Sequence, residues 1–344
     1  MPITTVSARR AATALTALVL AAAAVAGCGA PDDGRGRAAP SPAAADTAPG
    51  ASPPVSRPSV SHSAGTATPA PGGYLTLPLS ASGRVPVLRH GPRTGDGGDG
   101  GEEVAGPGGT AGRASGDRVV ALTFDAALSP EDAKRAAEDG VRHDNPELFA
   151  ALRRAKAPAT VFMTGVWARA HRDRARAIGR DRLFEVGNLS RSHRAFTPDC
   201  AGLPALGPGR HLAEVRDGLK EIRAAGVSRP TPYFRFPGGC HDDRSRRAVA
   251  PAGVTAVAGD VDAADTGASD PEELAGRVLE KVRPGSVVVL RWDRERAPAT
   301  AEAVGRLVPE LRERGYRLVR VSELVAAAMG RAPASPSASS VPPR

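Results

Sequence analysis

Between Asp117 and Gly330 short apolar runs alternate with amphipathic stretches. The runs are "RVVALTF" (118–124), "ATVFMTG" (159–165), "LFEVGN" (183–188), "YFRF" (233–236), "VTAVAG" (254–259), "SVVVL" (286–290) and "YRLVRV" (316–321). Their nearly continuous apolar character is that of strands buried on both faces, as in a parallel sheet. The segments 145–157, 209–226, 269–282 and 300–315 place apolar residues at helical spacing. Asn145 before Pro146, and Ser269-Asp270 before Pro271, are helix starts; Gly226 and Gly315 are stops. Seven strand–helix units over about 215 residues predict an α/β barrel, with a doubly wound sheet as the other solution the periodicity allows. In both, chemistry is expected where strands end.

The flanks have a different pattern. Arg9 and Arg10 precede an apolar run, Ala11–Ala26, that ends in Gly27-Cys28. This reads as an export signal over 1–28, too short to span a bilayer. Val25-Ala26-Gly27-Cys28 resembles a lipobox, in which Cys28 would carry lipid. The expected location is therefore the outer face of the cytoplasmic membrane, reached by export and held by a lipid anchor. Residues 29–116 are dominated by Ala, Pro, Ser, Thr and Gly, and cannot bury enough surface to offset ordering entropy. They read as a disordered linker, interrupted by "GYLTLPLSASGRVPVLRH" (73–90), which has branched residues enough for a short strand docked on the domain. Residues 331–344 read as a disordered tail.

The net charge of +9 invites a nucleic-acid reading, but the sequence offers no basic run interleaved with aromatics, which make up 3% of the chain. Only Lys134, Lys156, Lys220 and Lys281 among the basic residues are lysine, so the excess is arginine. With abundant Ala, Gly and Pro, that skew looks like high-GC coding in a Gram-positive bacterium. No nucleic-acid partner is expected.

Reading the strand ends in order gives Asp125, Asn188 to His193, Arg235, Asp260 to Asp265, and Arg291. Singly, such residues are helix caps or ion-pair partners. Together they put acids, an imidazole and guanidinium groups at one mouth. The same order carries a resemblance. "TFD" (123–125), "GNLSRSH" (187–193), "RFPGG" (235–239), "GDVDAADT" (259–266), "GSVVVLR" (285–291) and "RGYRLVRVSEL" (314–324) resemble the polysaccharide deacetylase family, the NodB-homology domain of carbohydrate esterase family 4. The resemblance covers 117–330. It implies a distorted seven-stranded β/α barrel and metal-assisted removal of acetyl groups from N-acetylated envelope glycans. It also implies an envelope polysaccharide or peptidoglycan as partner.

Carried over residue by residue, the resemblance gives Asp125 as general base, Arg235 as its orienting partner, and Asp260, Asp262 and Asp265 as the matching acids. By the same resemblance His193 is the one residual metal-ligand position. The other ligand positions hold Ala126 and Leu189, the general-acid position holds Arg291, and Thr266 replaces a pocket tryptophan. A catalytic zinc needs about three protein ligands and an open site, and guanidinium does not titrate to protonate a leaving amine. The family chemistry is therefore expected to be lost or slowed, with no cofactor and a mouth that binds a glycan or partner. Leu189 is expected to pack at the rim. The alternative is an active deacetylase holding zinc through substituted ligands near His193, Asp199 and His241. Cys200 and Cys240, on loops that follow two motifs, are expected to form a disulfide in an exported protein. His143, Asp144, His171 and His211 have no motif context and are expected on the surface.

Overall fold

The computed structural model describes residues 73–93 and 118–331; Cys28, the signal segment, most of the linker and the tail lie outside them. All seven expected strands form: β2 (Val119–Ala126), β3 (Ala159–Met163), β4 (Phe184–Asn188), β5 (Tyr233–Phe234), β6 (Thr255–Val257), β8 (Ser286–Arg291) and β9 (Arg317–Val319). Two more join them, β1 (Val87–Leu88) and β7 (Val261–Asp262). The order is β1-β6-β5-β4-β3-β2-β8-β7, all parallel, with β9 pairing the first half of β2. This is the curled parallel sheet of a distorted β/α barrel rather than a doubly wound sheet.

Short connections bring the two edges together. The chain leaves β6 beside β5 and within a few residues enters β7 beside β8. Gly259 allows the crossing, since a Cβ there would lie 2.3 Å from Val289. The interruption in the low-complexity stretch fills the remaining gap. β1 pairs with β6, and His90 then bridges antiparallel to Ser286. Leu77 and Leu88 are buried, and the Leu77 amide donates to Thr255 Oγ1 at 2.9 Å.

Helices α1 (Pro130–Asp139), α2 (Pro146–Arg154), α3 (Gly165–Ala170), α4 (Arg172–Arg180), α5 (His211–Ala224), α6 (Asp243–Val249), α7 (Pro271–Lys281) and α8 (Thr300–Glu313) connect the strands. Asn145 and Asp270 cap α2 and α7 through their side chains, as their positions before proline predict. One apolar cluster lies between sheet and helices and includes Phe124, Ala126, Leu290 and Trp292. A second, with Leu88, Ala127, Phe162, Leu189 and Tyr233, fills the barrel. α9 (Val321–Ala328) adds Val321, Leu324 and Val325 to that interior.

The surface assignment of three polar residues is corrected. Asp144, 4% exposed, accepts hydrogen bonds from Arg174 Nε and Trp292 Nε1. His143 Nδ1 lies 2.8 Å from the buried Asp293 carboxylate, and His171 is buried against Trp167. These groups join α2, α3 and the loop after β8, which sequence spacing does not reveal. His211, half-buried, lies 3.0 Å from the Phe196 carbonyl through Nε2.

Candidate active site

Asp125, the last residue but one of β2, faces the barrel interior, and Arg235 directly follows β5. Both are buried, and Arg235 Nη1 donates to Asp125 Oδ1 at 2.7 Å. The rest of the guanidinium is also used. Nη2 donates to Thr123 Oγ1 at 2.8 Å and the Ala258 carbonyl at 3.1 Å, and Nε donates to the Val257 carbonyl. Its plane lies 4.2 Å over the Phe162 ring. That ring has room because residue 187 is glycine: a Cβ would stand 2.6 Å from it. Thr123 is flagged by its place in "TFD", whereas nothing local in the sequence marks Phe162 as a platform.

His193 follows β4 on a loop held in an unusual backbone shape. Ser190 has φ 72° and His193 has φ 59°, both in the left-handed region that non-glycine residues rarely adopt. The loop is clamped by its neighbours. The His193 amide donates to Ser190 Oγ at 3.1 Å, and Glu214 of α5 accepts from both the Ser192 amide and hydroxyl. Arg191 is paired with Glu221. Glu214 and Glu221 went unrecognised in the sequence because their contact spans a loop and a helix turn. Burial pushes the His193 imidazole down to about 4; Asp125 opposes that and Arg291 adds to it.

Arg291 ends β8, in register with Asp125 across the β2–β8 pair. Its amide donates to Asp265 Oδ2 at 2.8 Å and its Nε to Thr266 Oγ1 at 3.2 Å. Asp265 is buried, also accepts from Thr300 Oγ1, and so ties β8 to the first turn of α8. Burial pushes its carboxyl up, against the hydrogen bonds from Arg291 and Thr300. Asp262 is exposed and caps the Ala264 amide. Asp260 does not reach the mouth, which corrects the expectation. It accepts from Ser286 Oγ, the Val287 amide and Arg93, so it fastens the segment after β1 to the base of β8.

The ligand positions of the implied metal do not fit one. Ala126 and Leu189 are fully buried, Ala126 between sheet and helices and Leu189 inside the barrel rather than at its rim. Asp199 is exposed, His241 stacks on Phe236, and Cys200 and Cys240 are joined in a disulfide. Among the described residues no group of three or more His, Cys, Asp and Glu is placed to hold a metal ion. The substituted site near His193, Asp199 and His241 therefore has no assembled ligand set. The assembled chemistry is a neutralised Asp125–Arg235 pair, an imidazole and a guanidinium.

The family model for polysaccharide deacetylase matches residues 112–257. A chitooligosaccharide deacetylase of Sinorhizobium fredii is 29% identical over 181 residues, which are 50% of this chain and 80% of that protein. A peptidoglycan-N-acetylglucosamine deacetylase of Bacillus cereus is 26% identical over 213 residues, 61% of this chain and 89% of that protein. Among solved structures, a carbohydrate esterase family 4 pseudoenzyme from Bacillus anthracis shares the fold with a TM-score of 0.50 and 23% identity, over 61% of this chain and 66% of that one. A mutant of that pseudoenzyme has restored enzymatic activity. Strand order, the motifs at the strand ends and these likenesses agree: over residues 112–257 the chain matches the polysaccharide deacetylase family, and its fold is that of a carbohydrate esterase family 4 protein.

Proposed function

We propose that this protein is a lipid-anchored envelope member of the family that binds a glycan, or a partner, at its barrel mouth without deacetylating it. The observation that carries this reading is the pair of carbon side chains, Ala126 and Leu189, buried where the family places two metal ligands. Carbon side chains at both positions leave the described mouth without ligands for the metal that would lower the pKa of water and polarise an amide carbonyl. Arg291 in place of the general acid leaves a departing amine without a proton. The mouth is nevertheless held in shape: Asp125 is paired, the 189–193 loop is clamped, and Asp265 fixes the end of β8. The names of the relatives support a chitin-like or peptidoglycan-like glycan as the occupant.

Acetate release from chitooligosaccharides by the full chain, with zinc supplied, tests the reading. None is expected, and zinc-dependent release would overturn it. Ala126→Asp with Leu189→His is expected to bind zinc with little activity once the end of β2 turns residue 126 from the helix layer toward His193, and adding Arg291→His is then expected to give measurable release; a folded triple variant that takes up no zinc would show a remodelled mouth. Anchoring has its own test, because Cys28→Ser should free the protein into the medium. Unchanged membrane retention would count against the anchor.

A further inference from the structure

Four arginines stand around the mouth, and three of them already have carboxylate partners. Arg235 is held by Asp125, Arg194 by Glu131, and Arg296 by Asp132, with Asp293 3.6 Å away. Arg291 differs. No carboxylate among the described residues forms an ion pair with it, and its side chain makes one hydrogen bond, from Nε to Thr266 Oγ1. That bond and the strand register aim the group. In a parallel pair, residues in register project to the same face, so Arg291 stands beside Asp125 at the open end of the barrel. Among the described residues neither Nη atom has a hydrogen-bond partner, which leaves a planar fork. The ring nitrogens of His193 likewise have no hydrogen-bond partner among the described residues, and His193 and Arg291 lie close enough to interact electrostatically.

An arginine fork with Nε anchored and Nη1 and Nη2 unused matches the two oxygens of a carboxylate. The acids flanking the fork are already engaged: the Asp125 charge is compensated by Arg235, and Asp265 accepts from the Arg291 amide and from Thr300 Oγ1. We propose that the mouth recognises an acidic glycan, taking a sugar carboxylate on the Nη1–Nη2 fork of Arg291 with His193 beside it. The proposal rests on the non-hydrolytic reading and names its ligand class. Nothing is transferred or cleaved: the site takes up a carboxylate and releases water and a counter-ion.

Calorimetric titration of the full chain with a hexuronate oligosaccharide, its neutral methyl ester and inorganic phosphate tests this, at one fixed salt concentration. The acid is expected to bind about tenfold or more tightly than the ester, as one charge-assisted pair implies. Arg291→Gln should remove that preference while leaving the melting temperature near that of the wild type. Arg291→Lys, which keeps the charge without the planar fork, should fall between the two. Equal affinity for acid and ester, no binding of either, tighter binding of phosphate, or an undiminished preference in both variants would overturn the proposal. Acetate release from a chitooligosaccharide, measured alongside, separates the two readings. Release would sink the non-hydrolytic reading, while the acid–ester comparison alone decides the carboxylate site.

Discussion

Arg235 and Asp125 form an ion pair with both partners buried, so each depends on the other. Removing one member leaves an uncompensated charge in a low-dielectric interior. Arg235→Ala is expected to cost about 3–5 kcal/mol in urea unfolding, and the double variant Asp125→Ala with Arg235→Ala less than the sum of the singles. Glu185 poses the opposite problem. It is buried on β4, accepts from Thr160 Oγ1 and the Ser322 amide through Oε1, and leaves Oε2 without a hydrogen-bond partner among the described residues. Burial pushes its carboxyl pKa up, with the hydrogen bonds from Ser322 and Thr160 opposing. A folded-state pKa above the unfolded one means the fold holds a proton the unfolded chain would release. The stability it contributes is complete below the ordinary carboxylate range and is lost as pH rises through the raised value. Glu185→Gln should flatten that decline, so its advantage over the wild type in chemical unfolding should widen as pH rises from 4. A constant difference across the range would refute the assignment.

Helix α1 is held unlike the others. None of its residues is buried, so apolar packing contributes little. Its first turn is tied to the mouth by charge instead: Glu131 pairs with Arg194, next to His193, and Asp132 pairs with Arg296 on the loop after β8. Burial alone would raise the Asp132 carboxyl, but hydrogen bonds from Arg296, Ser129 and Arg135 outweigh it and hold it at about 2. Ion pairs at partly exposed sites are weakened by salt, and elements with few apolar contacts open first. Amide exchange over 130–139 should therefore be faster than over α8 and should accelerate in high salt. Protection equal to that of α8, insensitive to salt, would show that packing holds α1 after all. The sequence did not announce this helix, since its polar composition reads as a loop until the Ser129 cap and Pro130 are seen together.

Across the whole molecule two connections stabilise the barrel beyond its sheet. The Cys200–Cys240 disulfide joins the loops after β4 and β5 across a sequence separation of 40. Replacing both cysteines by serine should cost about 2–4 kcal/mol, chiefly by freeing the unfolded chain. Equal midpoints for oxidised and reduced protein in guanidinium would contradict that. The segment 73–93 is the other. Tyr233 Oη donates to the Leu75 carbonyl, Gly91 and Gly285 approach closely, and Arg93 grips Asp260. Residues that read as a break in a low-complexity stretch thus supply a strand and a fastening at the seam of the sheet.

What the sequence by itself determined is seven of the strands, their parallel character and the strand ends near which Asp125, His193, Arg235 and Arg291 sit. Each of these is a local property: an apolar run long enough to be buried on both faces, a turn residue, and a motif that ends a strand. The replacement of two ligand residues by Ala126 and Leu189 is likewise a matter of residue type, readable without coordinates. Three matters were decided only in the tertiary structure: that Leu189 fills the barrel interior, that Asp260 serves Arg93 instead of the mouth, and that Asp144 and His171 are buried. The physical reason is common to all three. Whether a polar or apolar side chain is satisfied depends on partners supplied from distant parts of the chain, and those partners exist only once the sheet has curled and its edges have met.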